Sequence, residues 1–189
     1  MIPIPVSLTA LWLPIVLSAV IIFVASSIIH MVLPYHRSDY HQIPDEDKVM
    51  AGLRSANLKP DFYVFPYILP KDMKSPAAIE KYKQGPVGFL KIMPNGPPMM
   101  PKFLVQWFVY CLLVSFFVAY LTGRTVASGT PYLAVFRVAG TAAFLSYGVG
   151  NLPNAIWRGY TWAVVIKEVI DGLIYALLTA GTFGWLWPR

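Results

Sequence analysis

The chain is poor in charge, in cysteine and in catalytic signatures. Charged residues make up only 13% of its 189 residues, against 57% hydrophobic and 15% aromatic. That is about half the charge of an ordinary soluble domain, so a soluble globular domain is excluded. Disorder is excluded too, because so apolar and aromatic a chain can bury surface wherever it meets lipid or protein. The single cysteine, Cys111, lies inside an apolar run. It can form no intramolecular disulfide and reads as a small core residue. No Cys-x-x-Cys-His, phosphate-binding glycine loop, His-Glu-x-x-His or paired-histidine haem arrangement occurs. Ser26 and Ser27 have no acid-base partners and read as helix contacts.

What the chain does have is long apolar runs. A helix needs roughly 20 apolar residues to cross about 30 Å of hydrocarbon while satisfying its own backbone. Four segments qualify: Leu8 to Leu33, Phe103 to Leu121, Tyr132 to Leu152 and Trp162 to Trp187. Trp12, Trp107, Trp162, Trp185 and Trp187 lie near their ends, where amphipathic rings favour the headgroup level. The first run has no Lys or Arg before it and exceeds the length of a secretory leader, so it is expected to be a permanent helix. Pro14 should bend or loosen its first turns.

The net charge of +6 does not point to nucleic acid, because ten of the fifteen basic residues and seven of the nine acids share residues 34 to 102. Arg37, Lys48, Lys83, Lys91, Lys102 and Arg158 fall on one side of the expected membrane, and only Arg124 and Arg189 on the other. Basic residues collect inside, which places the long segment in the cytoplasm and both termini outside. That segment, about 69 residues long, holds eleven of the 17 prolines, too many for a third long helix. Pro44 with Asp45, Glu46 and Asp47 starts one short amphipathic helix, and Ser75 with Pro76 starts another that Gly85 stops. Phe62 to Leu69 and Val87 to Met93 read as extended pieces that either pair or lie on the membrane.

The fold expected is therefore all-α: residues 1-33 a transmembrane helix, 34-102 a partly folded soluble segment with short helices and a small β element, and 103-189 three further transmembrane helices. The unequal links show no inverted repeat.

Charges within a span are expensive and mark function by default. The fourth run carries Lys167, Glu168 and Asp171, with Lys167 and Asp171 spaced to pair and Glu168, Asp171, Tyr175 and Thr179 forming a stripe that should face other helices. Ala180, Gly181 and Gly184 allow close helix approach. Arg137 is the only charge in the third run and a candidate member of this polar network; a gap of about 10 Å separates its depth from that of Asp171, and its long side chain could equally snorkel outward. All three histidines, His30, His36 and His41, lie at the inner end of the first run. His30, His36, Glu168 and Asp171, with Asn151 and Asn154, could converge there as metal ligands or as a proton relay. Their spacing matches no standard metal motif, and Pro34 breaks any helical face they share.

The stretches Ile28-Ile29-His30-Met31-Val32-Leu33-Pro34 through Ser38-Asp39-Tyr40, and Asp171-Gly172-Leu173-Ile174-Tyr175 through Gly184-Trp185, resemble those of small four-helix bacterial inner-membrane proteins of no assigned function. The resemblance implies a bacterial inner membrane and no chemistry. Two functions are expected from different classes. One is a non-catalytic accessory or scaffold subunit of a larger membrane complex, with lipids and other membrane subunits or further copies of itself as partners and no cofactor. The other is a metal- or proton-handling membrane protein that binds a transition metal at His30, His36, Glu168 and Asp171. An enzyme is the weakest reading, because no catalytic motif supports it.

Overall fold

The computed structural model describes residues 6–189, and the protein is about 70% helical. Along the chain the elements are α1 (Trp12–Ser27), α2 (Glu46–Ser55), β1 (Asp61–Phe65), α3 (Pro76–Gln84), β2 (Gly88–Ile92), α4 (Met100–Thr125), α5 (Tyr132–Tyr147), α6 (Leu152–Trp157) and α7 (Trp162–Trp185). They divide into two compact units: residues up to Asp39 with Met99–Arg189, and Tyr40–Pro98.

The first unit is a four-helix bundle in which α1 packs on α4 and α7, and α5 packs on the same two helices. Three stretches are long and apolar enough to cross a membrane, Leu8–Val32, Met100–Thr125 and Tyr132–Trp157, as expected of a membrane protein. Their outward faces carry exposed Val16, Val20, Val24, Leu113 and Phe117. Pro14 falls in the first turn of α1, after a 3-10 turn at Leu8–Leu11. There its missing N–H is one of the donors that lack a helical partner anyway.

Helices α5 and α7 run antiparallel and nearly touch, because glycines meet at the seam. Gly184 lies under the Tyr132 ring, Gly140 faces Ala180, and Gly172 meets the Gly148 backbone directly. Polar atoms on the inner faces find partners across the bundle: Ser18 Oγ donates to Ser115 Oγ at 2.9 Å, and Trp107 Nε1 donates to Ser26 Oγ at 2.7 Å. Trp107 thus ties α4 to the end of α1.

Two irregularities shape one end of this bundle. Helix α1 widens into a π-helical turn at Ile28–Val32, Leu33 is extended, and Pro34–Asp39 forms a 3-10 turn against α7. A residue before proline disfavours the helical region, so Pro34 is what ends the helix. The second compact unit consequently begins at Tyr40, and α4 starts at Met100. At the same end α5 gives way to a 3-10 turn at Val149–Asn151 before α6. Pro153 cannot donate to the Val149 carbonyl, while Asn151 Nδ2 donates to the Tyr147 carbonyl at 2.8 Å.

In the second unit, β1 and β2 pair antiparallel from Asp61↔Ile92 to Phe65↔Gly88, so the two extended pieces form a two-stranded sheet. Phe62 and Phe89 stack on it with centroids 5.3 Å apart. Ser75 caps α3 by accepting from the Ala78 N–H, and Gly85 ends it at φ 57°.

The seam between α5 and α7 makes a direct prediction. Gly172→Ala should destabilise the bundle by about 1–3 kcal/mol, because a β-carbon would overlap the Gly148 backbone. Gly52→Ala, in open space on α2, should be neutral or stabilising by up to about 1 kcal/mol. Thermal unfolding of the two variants in detergent checks both signs.

Candidate functional site

The polar residues of α7 point into the bundle, and the turn after α1 comes back to meet them. Asp171 is 2% exposed and Tyr175 4%. Helical spacing puts Glu168, Asp171 and Tyr175 on one face. The break at Pro34 swings Tyr35, His36 and Asp39 onto that face.

Lys167 holds the turn in place. Its ammonium donates to Asp39 Oδ1 at 2.5 Å, to the Tyr35 carbonyl at 2.7 Å and to Ser38 Oγ at 2.8 Å. Three donors thus meet three acceptors. The expected Lys167–Asp171 pair is not formed, because Lys167 reaches Asp39 while Asp171 is engaged from the other side.

His36 lies between two carboxylates. Its Nδ1 is 2.6 Å from Asp39 Oδ2 and its Nε2 2.8 Å from Asp171 Oδ2. The Tyr35 hydroxyl donates to Asp171 Oδ1, which orients that carboxylate and leaves Oδ2 facing the histidines. His30 approaches from the π-helical turn with Nε2 3.8 Å from Asp171 Oδ2 and 3.5 Å from the Tyr175 hydroxyl. The two imidazoles lie with centroids 4.3 Å apart. One ligand atom from each of His30, His36 and Asp171 falls within 4.8 Å of the others.

Burial pushes the Asp39 carboxyl up, but hydrogen bonds and charge from Lys167 and His36 outweigh that and hold it below the usual carboxylate range.

Next to this cluster is a cavity of about 540 Å³. His30, Glu168, Asp171 and Asn151 form its polar wall, and Trp107, Tyr110, Tyr147 and Tyr175 its aromatic wall. The four rings close a circuit: centroids are 5.4 Å apart for Trp107–Tyr110, 5.8 Å for Tyr110–Tyr147, 5.7 Å for Tyr147–Tyr175 and 6.3 Å for Trp107–Tyr175. Three of the four polar tips are engaged away from the cavity. Tyr110 donates to the Ser146 carbonyl at 3.2 Å, Tyr147 to the Cys111 carbonyl at 3.5 Å, and Trp107 to Ser26. Glu168 Oε2 is buried and, among the described residues, has no hydrogen-bond partner.

Of the residues singled out from sequence, the structure brings His30, His36 and Asp171 together. Glu168 lines the adjoining cavity, and Lys167 and Tyr175 brace the cluster from α7. Arg137 does not join: it is exposed, and among the described residues it forms no ion pair. A charge so far from Asp171 in depth points outward, where its long side chain can find polar surroundings. His41 lies in the other unit. Sequence reasoning missed Tyr35, Asp39 and the tyrosines of α4 and α5. The i, i+3 spacing of His36 and Asp39 after a proline break was the available signal for Asp39. No protein-family model, curated protein or solved structure matches the chain.

The clamp has a pH signature. With its native-state pKa depressed, Asp39 contributes stability that is complete above its unfolded value of about 4 and is lost as pH falls through the lower folded value. Asp39→Asn should destabilise metal-free protein by about 1–3 kcal/mol at neutral pH, a figure moderated by the partial exposure of Lys167. The deficit relative to wild type should shrink as pH falls below about 4. Melting curves across that range test it.

Proposed function

We propose that this chain is an integral membrane protein that binds one divalent transition-metal ion through His30 Nε2, His36 Nε2 and Asp171 Oδ2. The observation that carries the reading is the arrangement around these three groups, not their proximity alone. A metal-ligating histidine typically gives its other ring N–H to a carboxylate, and His36 Nδ1 faces Asp39 at 2.6 Å. A ligating carboxylate is itself usually hydrogen-bonded, and Tyr35 supplies that bond to Asp171. Lys167 in turn neutralises Asp39. The ligand set then carries one negative charge, as two histidines and one carboxylate do in open zinc and non-haem iron sites.

The spacing suits such an ion. Ligand atoms 2.0–2.2 Å from a tetrahedral metal are about 3.4 Å from each other, and the two separations from Asp171 Oδ2, 2.8 Å and 3.8 Å, bracket that value. Metal entry would need the proton between His36 and Asp171 to leave, that pair to open slightly and His30 to close on the other two ligands. Glu168 lies beside the set and not within it, so the ligands are three of the four first considered.

The membrane setting belongs to the same proposal. Helix α7 is the fourth span, with Lys167, Glu168 and Asp171 turned into the bundle and not toward lipid. The excess of Lys and Arg in residues 34–102 supports a cytoplasmic side for the metal end, and the resemblance of the two stretches supports a bacterial inner membrane. The accessory-subunit expectation has no comparable constellation to support it.

Elemental analysis of protein purified from cells supplied with zinc, iron and manganese tests the reading. About one metal per chain is expected, lost in His36→Ala and Asp171→Asn. Tyr35→Phe should lower affinity about 10- to 100-fold while leaving the protein folded. Wild-type protein that takes up no stoichiometric divalent metal on titration, or variants that retain it, would overturn it.

A further inference from the structure

We infer that the cavity beside the histidine cluster is a binding site for an alkylammonium group, with Glu168 as its counter-ion and the rings of Trp107, Tyr110, Tyr147 and Tyr175 as its walls. This goes beyond the metal reading and does not depend on it.

Three observations converge. First, the four rings of Trp107, Tyr110, Tyr147 and Tyr175 line this cavity, and the face of an aromatic ring attracts an organic cation through its quadrupole. Second, the rings are fixed before any ligand arrives. Trp107 is tied to Ser26 and Tyr110 to the backbone of Ser146, so little side-chain freedom remains to be lost on binding. Third, Glu168 lines this cavity and, among the described residues, its carboxylate has no ion-pair partner. An ionised carboxylate so placed is costly unless a charge or donor meets it. The rest of the cluster does not supply one, because Lys167 is spent on Asp39, Tyr35 and Ser38.

The chemistry also selects against other ligands. An anion would meet Glu168 and Asp171. A purely apolar ligand would leave Glu168 as unsatisfied as before. An ammonium satisfies both walls at once, its charge on Glu168 and its N-methyl or methylene groups on the rings. A volume of about 540 Å³ is within the range of small-molecule sites and exceeds what a headgroup alone fills. Gln106 and Tyr110 are exposed along α4, so the mouth opens beside that helix. The ammonium can belong to a free amine or to a lipid headgroup.

The test uses full-length, metal-free protein held in chelator, in nanodiscs of phosphatidylglycerol alone. These are titrated by calorimetry with choline and with 3,3-dimethylbutan-1-ol, its uncharged isostere. Saturable choline binding is expected, with the isostere at least about tenfold weaker, since desolvated cation–π and ion-pair contacts are lost together. Glu168→Gln should weaken choline at least about tenfold, and Tyr110→Leu several-fold. The isostere comparison uses native protein alone, so it stands even where a variant does not fold.

Repeating the titration in nanodiscs containing phosphatidylcholine or phosphatidylethanolamine separates the sources. Loss of soluble choline binding there identifies a lipid headgroup as the occupant, and unchanged binding identifies a free amine. The proposal is overturned by the absence of saturable choline binding in phosphatidylglycerol, by equal binding of the isostere, or by wild-type affinity in folded Glu168→Gln. Because chelator is present throughout, these outcomes are independent of whether His30, His36 and Asp171 hold a metal.

Discussion

The hydrogen-bonded chain Lys167–Asp39–His36–Asp171 is the constraint on which the functional end of the bundle depends. Its links are 2.5, 2.6 and 2.8 Å long, and they run from the side of α7 through the turn after α1 and back into α7. Each member answers the burial of another. Lys167 makes Asp39 tolerable, Asp39 orients His36, and His36 with Tyr35 satisfies the nearly buried Asp171. Removing any one would leave its neighbours short of a partner, which is why such networks are costly when incomplete and rigid when complete.

That rigidity serves the geometry of the cluster. A histidine on a frayed helix end would sample many rotamers. His36 instead sits on a 3-10 turn pinned by three bonds from one ammonium, and His30 on a π-helical turn, a local widening that often accompanies functional sites. The backbone defects of this protein are concentrated at that end. The Pro34 break and the Pro153 turn both lie there, and the close seam of Gly172 on Gly148 begins beside them.

The cavity follows from the same packing. Glycines draw α5 and α7 together, whereas Trp107, Tyr110, Tyr147 and Tyr175 stand between α4, α5 and α7 and cannot all pack face to face. The rings meet mostly edge to face, with interplanar angles of 82° and 81° at Tyr147, and leave a space bordered by aromatic surface on one wall and by carboxylates on the other. Hydrogen bonds from the ring tips keep that space from collapsing.

Much of this protein was legible as sequence. Apolar run lengths, proline placement and capping residues depend on neighbours along the chain, so three runs long and apolar enough to cross a membrane, the helix from Pro76 to Gln84 and the extended pieces that form β1 and β2 could be read directly. The inward stripe of Glu168, Asp171 and Tyr175 was legible too, because helical periodicity is local and charge is intolerable in lipid. The partners were not. Lys167 pairs with Asp39 rather than with Asp171 four residues away, Trp107 bonds to Ser26, and Arg137 stays out of the cluster. Each of these outcomes depends on how far the chain turns at Pro34 and how closely α5 approaches α7. Residues more than a hundred positions apart meet or miss by a few ångströms, and only the packed tertiary structure decides which.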